Sequence, residues 1–172
     1  MLIDYIIGFK EGKIMKTNFV LISMLLILLI GCSDTTSPQW DADTVVQITE
    51  EGITHTFSIC NNEYSKSETL YAEYEIKNNS DETVEFIFNN QQIFRVEVRN
   101  EDDETVIILP QIVSPESRQI TLIPGEKESD FLAWDFIGYH GNPVESGIYT
   151  LIARLDLPDG ETPSLELQIK LD

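Results

Sequence analysis

Positive charge is scarce in this 172-residue sequence: 11 Lys and Arg stand against 30 Asp and Glu, giving a net charge of −19 and a pI near 4.2. Such a balance repels polyphosphate backbones and anionic lipid headgroups, so nucleic acid is excluded as a partner. Cysteine is nearly absent. Only Cys32 and Cys60 occur, in neither a redox nor a zinc motif. The two histidines, His55 and His140, fall outside any metal-ligand spacing, and no Gly-x-Ser-x-Gly nucleophile elbow is present. No catalytic residue, cofactor or metal site is therefore expected. The acidic run Glu101-Asp102-Asp103-Glu104 lacks the alternating Asp and the glycine of a calcium loop, and reads as a solvated hairpin turn. Beyond residue 31 there is no long apolar run and no sustained 3.6-residue period, so helices are at most minor. What is present in ordinary measure is apolar content, 42%, with 24% charged residues, which suits one folded domain.

The one long apolar run is Phe19 to Ile30, FVLISMLLILLI, preceded by Lys16. A bilayer-spanning helix needs about 20 such residues. Twelve after a basic residue, with the small Gly31 following, have instead the form of a secretory signal. Met15 with Lys16, Thr17 and Asn18 is a better signal start than Met1, whose stretch carries Asp4 and Glu11. Leu29-Ile30-Gly31-Cys32 resembles the lipobox of bacterial lipoproteins. That resemblance implies cleavage before Cys32, diacylation of its thiol and acylation of the new N-terminus, with Ser33 permitting transfer to an outer membrane in a Gram-negative cell. Residues 1–31 are then the signal peptide and 32–43 the lipidated cysteine with a Ser/Thr/Pro/Asp-rich tether. Removing residues 1–31 leaves 8 basic and 28 acidic side chains, a net charge of −20. The membrane contact expected is thus through acyl chains alone, several of which anchor stably where one does not. Thioether formation at Cys32 leaves Cys60 with no disulfide partner, and its place near the end of a strand-like run suits a half-buried inert thiol.

From Thr44 onward, short alternating segments are separated by turn-forming clusters, the pattern of an antiparallel sandwich or barrel of nine or ten strands. Ile53, His55, Phe57 and Ile59 alternate with Thr54, Thr56 and Ser58, and Leu70, Ala72, Tyr74 and Ile76 alternate with Tyr71, Glu73, Glu75 and Lys77. Val84, Phe86 and Phe88 form another inward set, as do Phe94, Val96 and Val98. Thr105 to Leu109, Ile120 with Leu122, Phe131 to Trp134, Ile148 to Leu157 and Leu165 to Leu171 continue the series, with turns at 78–81, Pro124-Gly125-Glu126 and Pro158-Asp159-Gly160. Residues 44–172, about 130 in all, have the size of an immunoglobulin-like β-sandwich, whereas a ligand-holding barrel usually has longer strands.

Asn78-Asn79-Ser80, Phe86-Ile87-Phe88 with Asn89-Asn90-Gln91-Gln92, Val96-Glu97-Val98, Leu122-Ile123-Pro124-Gly125-Glu126, Trp134 and Gly147-Ile148-Tyr149 follow one another in this order. The series resembles the BsuPI domain, the intracellular proteinase inhibitor family of bacilli, over roughly residues 68–157. The resemblance implies an immunoglobulin-like antiparallel β-sandwich and, for the founding members, inhibition of serine proteases. The chain departs from the family where Thr105-Val106-Ile107-Ile108 replaces a tryptophan-containing segment.

An inhibitor must present an exposed, preorganised segment over a standard-size interface. Two loops are candidates. The first, Pro110 to Glu116, is bounded by prolines and carries Ile112 and Val113; the second, Asp135 to Ser146, carries Phe136, Ile137 and Tyr139. These residues either contact a partner protein or cover the ends of the core. Trp134 is expected in the core, Tyr71 and Trp40 at the surface. The function expected is binding in the cell envelope, as a serine protease inhibitor or, alternatively, as a non-inhibitory interaction or assembly module.

Overall fold

Leu70, Ala72, Tyr74, Ile76 and Asn78 are buried on one side of a nine-residue strand, while Tyr71, Glu73, Glu75 and Lys77 lie on the other side, exposed or half-buried. This is the pleat of a sheet with one face on a core. The computed structural model describes residues 44–158 and 162–172, and among them there is no helix. The signal segment, Cys32, the tether with Trp40, and residues 159–161 of the turn after Leu157 lie outside the described residues.

Eleven strands follow in order: β1 (Thr44–Glu50), β2 (Ile53–Ile59), β3 (Glu63–Tyr64), β4 (Leu70–Asn78), β5 (Val84–Phe88), β6 (Phe94–Arg99), β7 (Thr105–Leu109), β8 (Arg118–Leu122), β9 (Lys127–Trp134), β10 (Gly147–Leu155) and β11 (Leu165–Leu171). One sheet has the order β1-β2-β4-β9 and the other β3-β11-β10-β6-β7, with β5 and β8 as a separate ribbon. Every pairing is antiparallel except the short one of β3 with β11. Neither sheet closes on itself, so the architecture is a sandwich. β2, β4 and β9 stand as strands A, B and E of an immunoglobulin-like domain, and β6, β10 and β11 as C, F and G.

The core between the sheets is aromatic at its centre. Tyr74 stacks on Phe94 at 5.3 Å between ring centroids, and Trp134 meets Tyr149 edge to face at 5.9 Å. Two strands differ from their sequence pattern. β2 is buried on both faces apart from half-buried Thr56; it lies between β1 and β4, and its outward Thr54 shares a hydroxyl hydrogen bond with Thr49 and accepts from the Asn79 amide. β9 begins four residues before Phe131, at polar Lys127-Glu128-Ser129-Asp130, where Lys127 pairs with Glu75 and Arg118 bridges to Glu128 and Asp130.

The Asn78-Asn79-Ser80 turn is a knot of hydrogen bonds around a fully buried Asn78. Its amide donates to Glu82 O at 2.7 Å and Leu122 O at 2.8 Å, its Oδ1 accepts from Ser80 N–H and Oγ–H, and its main chain pairs with Gly125 and Glu126. Gly52 sits against this turn with φ of 80°, where a Cβ would lie 2.8 Å from Ser80 Cβ, so glycine is required there.

Candidate functional site

The first loop leaves β7 after Leu109 and reaches β8 at Arg118. Its foot is fastened: Gln91 donates to Glu116 O and Ser117 O, and Arg118 donates to Gln91 O and pairs with Glu128 and Asp130. Its tip is not, since among the described residues no hydrogen bond or ion pair holds residues 111–115. Ile112 there is 91% exposed and Val113 43%. Neither covers the core.

The second loop, from Asp135 to Ser146, is built differently. Leu132 and Trp134 point inward at the end of β9, and the same alternation carries Phe136 inward with φ of 58°. Its ring packs 4.9 Å from Trp134 and 5.5 Å from Tyr64, and the residue is 1% exposed. Phe136 therefore belongs to the core, the second of the two alternatives, and drops out of the candidate partner-binding residues; the period of two simply continues beyond the strand. Ile137 is half-buried, bridged to Pro143, and its carbonyl accepts from Trp134 Nε1–H at 3.0 Å. Further main-chain bonds brace the segment: Gly138 N–H to Asn142 O, Gly141 N–H to Gly138 O, Val144 N–H to Phe136 O and Tyr139 N–H to Val106 O.

On this brace Tyr139 is half exposed, at 50%, and His140, Asn142 and Glu145 are exposed beside it. With Thr105, Val106 and Tyr149 they edge an open cleft of about 360 Å³. The Tyr149 hydroxyl donates to Glu145 O at 2.7 Å, and burial, with the charges of Glu145 and Glu101 adding to it, pushes its phenol above the usual range. The two loops are not one surface. The first leaves the end of β7 at Leu109, whereas the second docks near its start at Val106.

Tyr71 is 47% exposed on the outer face of β4, and Trp134 is buried. Cys60 is half-buried just past β2. The acidic segment 101–104 is a hairpin turn organised by Asn100, whose Oδ1 accepts from the N–H of Asp102 and Glu104, while Arg99 pairs with Glu97 and Asp103. Among the described residues no group of three or more His, Cys, Asp or Glu is placed to hold a metal ion. The sequence places His140 and Asn142 in the second loop but does not show that they stand with Glu145 as its polar rim, because that depends on how the loop folds back.

No family model matches the chain, and no curated protein matches it. Among solved structures, a β-glucosidase from Erythrobacter marinus is similar at 14% identity and a TM-score of 0.44, over 75% of this chain and 15% of that one. A β-glucosidase from Listeria innocua is similar at 16% identity and a TM-score of 0.42, over 69% of this chain and 16% of that one. The chain thus spans less than a fifth of the length of these enzymes. The C-terminal domain of wzt is similar at 8% identity and a TM-score of 0.45, over 80% of this chain and 83% of that domain.

Proposed function

We propose that this chain is a cell-envelope lipoprotein, with residues 1–31 as signal peptide, Cys32 acylated, 33–43 as tether and 44–172 as a BsuPI-like domain that acts by binding and not by catalysis. The partner proposed is a protein, specifically a serine protease, met by the loop 110–116. The observation that carries this reading is Ile112, whose side chain stands almost wholly in water at the tip of a loop fastened only at its foot. An aliphatic pair so placed in a strongly acidic protein gains by burial against a partner, at about 25 cal/mol per Å². Acyl chains would hold the protein in an outer membrane if the cell is Gram-negative.

A second reading rests on the second loop. Its dense bracing lowers the entropy lost on binding, and the cleft beside Tyr139 is edged by polar side chains, which favours a non-inhibitory envelope interaction module. Titrating residues 33–172 against a panel of serine proteases separates the two. Stoichiometric loss of protease activity with the domain intact, weakened at least tenfold by I112S/V113S, is expected for the inhibitor. Rapid cleavage, or no inhibition, rejects it and leaves the second reading, tested by co-purification of envelope proteins with wild type and Y139A.

A further inference from the structure

The gap between the sheets stays open at the end of the sandwich where β1 turns into β2. It forms a cleft of about 280 Å³ walled by Ile53, Val84, Phe86, Leu155, Leu157 and Pro163. Two polar side chains interrupt these apolar walls, His55 and Thr162, the latter donating to Leu155 O at 3.4 Å, and the carboxylate residues Glu50 and Glu51 stand at the lip. His55 is 4% exposed, and its Nδ1 lies 3.1 Å from the hydroxyl of fully buried Tyr74. That hydroxyl has no other acceptor among the described residues, so the phenol donates to Nδ1. The neutral imidazole then carries its proton on Nε2. No described residue accepts from Nε2, and His55 itself lines the cleft. Burial lowers the His55 pKa from its ordinary 6.5, which favours the neutral ring at pH 7.

We infer that this cleft binds a small uncharged molecule with an apolar body and one hydrogen-bond acceptor, taken up by the N–H of His55 Nε2. A cavity of about 150 Å³ lined by apolar side chains accepts benzene, so the space suffices for a longer alkyl body. The lip sets the charge: Glu50 and Glu51 repel a carboxylate, and an ammonium offers no acceptor to Nε2–H. This site is independent of the lipid anchor and of both loops.

The test uses residues 33–172, which keep every described strand and the whole core, with His55 imidazole resonances followed by NMR. Titration with 1-octanol should give a saturable shift of the His55 Nε2–H signal, with octanoate at least tenfold weaker. Leu157→Trp, which fills the cleft and leaves the His55–Tyr74 pair in place, should abolish the octanol response. An unsaturable or absent shift, octanoate binding as tightly as octanol, or an unchanged response in Leu157→Trp would each overturn the inference.

Discussion

Phe136 and Ile112 were equivalent as letters in loops, and the structure separates them by burial. Phe136 continues the inward parity of Leu132 and Trp134, so its ring is core despite its position after β9. Phe136→Ala should cost about 3–5 kcal/mol, read as a lower urea midpoint at unchanged slope, whereas Ile112→Ser should change stability by no more than about 0.5 kcal/mol. His55 gives a second residue-level expectation. Its folded-state pKa lies below 6.5, so the unfolded chain binds a proton more readily than the folded one as pH falls. The stability from keeping this ring neutral is complete above pH 6.5 and declines below it, down to the folded-state pKa. Urea midpoints between pH 8 and 5 should show this decline in wild type and not in H55Q. Glu97, held below the usual carboxylate range by hydrogen bonds from Arg99 and Thr105, adds a loss only below about pH 4.5.

The strands with clear alternation, β4, β6, β10 and β11, were legible because one face of each meets the core and apolar residues recur at every second position. β3 was not, since Glu63-Tyr64 is too short to carry a period and exists through its pairing with β11. The first half of β9 was hidden for another reason: its polar residues are held by the ladder to β4 and by Arg118, interactions distant in sequence. The turn at Asn78 was readable as a turn, but not as the point where the ends of β4 and β8 and the start of β9 are tied. Asn78→Ala should destabilise by about 1–3 kcal/mol through the loss of the amide donor to Leu122 O, while Glu82 O keeps the Ser80 hydroxyl. Thermal unfolding checks this, with Asn79→Ala, whose amide has one side-chain acceptor, as the milder comparison. Both candidate loops were placed correctly between strands. Which of their side chains face water depends on φ at Phe136 and on bonds to Gln91 and Val106, none of which has a local signature.

For the whole molecule, charge bears on the proposed anchor. A net charge of −20 after residue 31 offers nothing to an anionic bilayer, so membrane retention should depend on Cys32 alone. Cys32→Ser is expected to move the protein from the membrane fraction to the soluble one and to abolish incorporation of radiolabelled palmitate. Retention of the variant in membranes would reject the anchor.

The position of β11 has a consequence for the order of assembly. This last strand pairs with β10 on one side and with β3 on the other, Lys170 and Asp172 donate to Asn62 O and Tyr64 O, and β1 lies against it. A polypeptide emerging N-terminus first can form the β1-β2-β4 meander early, because those pairings are local. In the opposite sheet β10, β6 and β7 can pair with one another first, but β3 has no partner strand until residues 165–171 are made. Until they arrive, β3 and the outer edge of β10 lack their strand neighbour, and the loop entropy spanning β3 to β11 must be met before that pairing repays it. The pairing of β3 with β11 is therefore slow by topology, and the edge of β10 stays open to other strands until β11 docks.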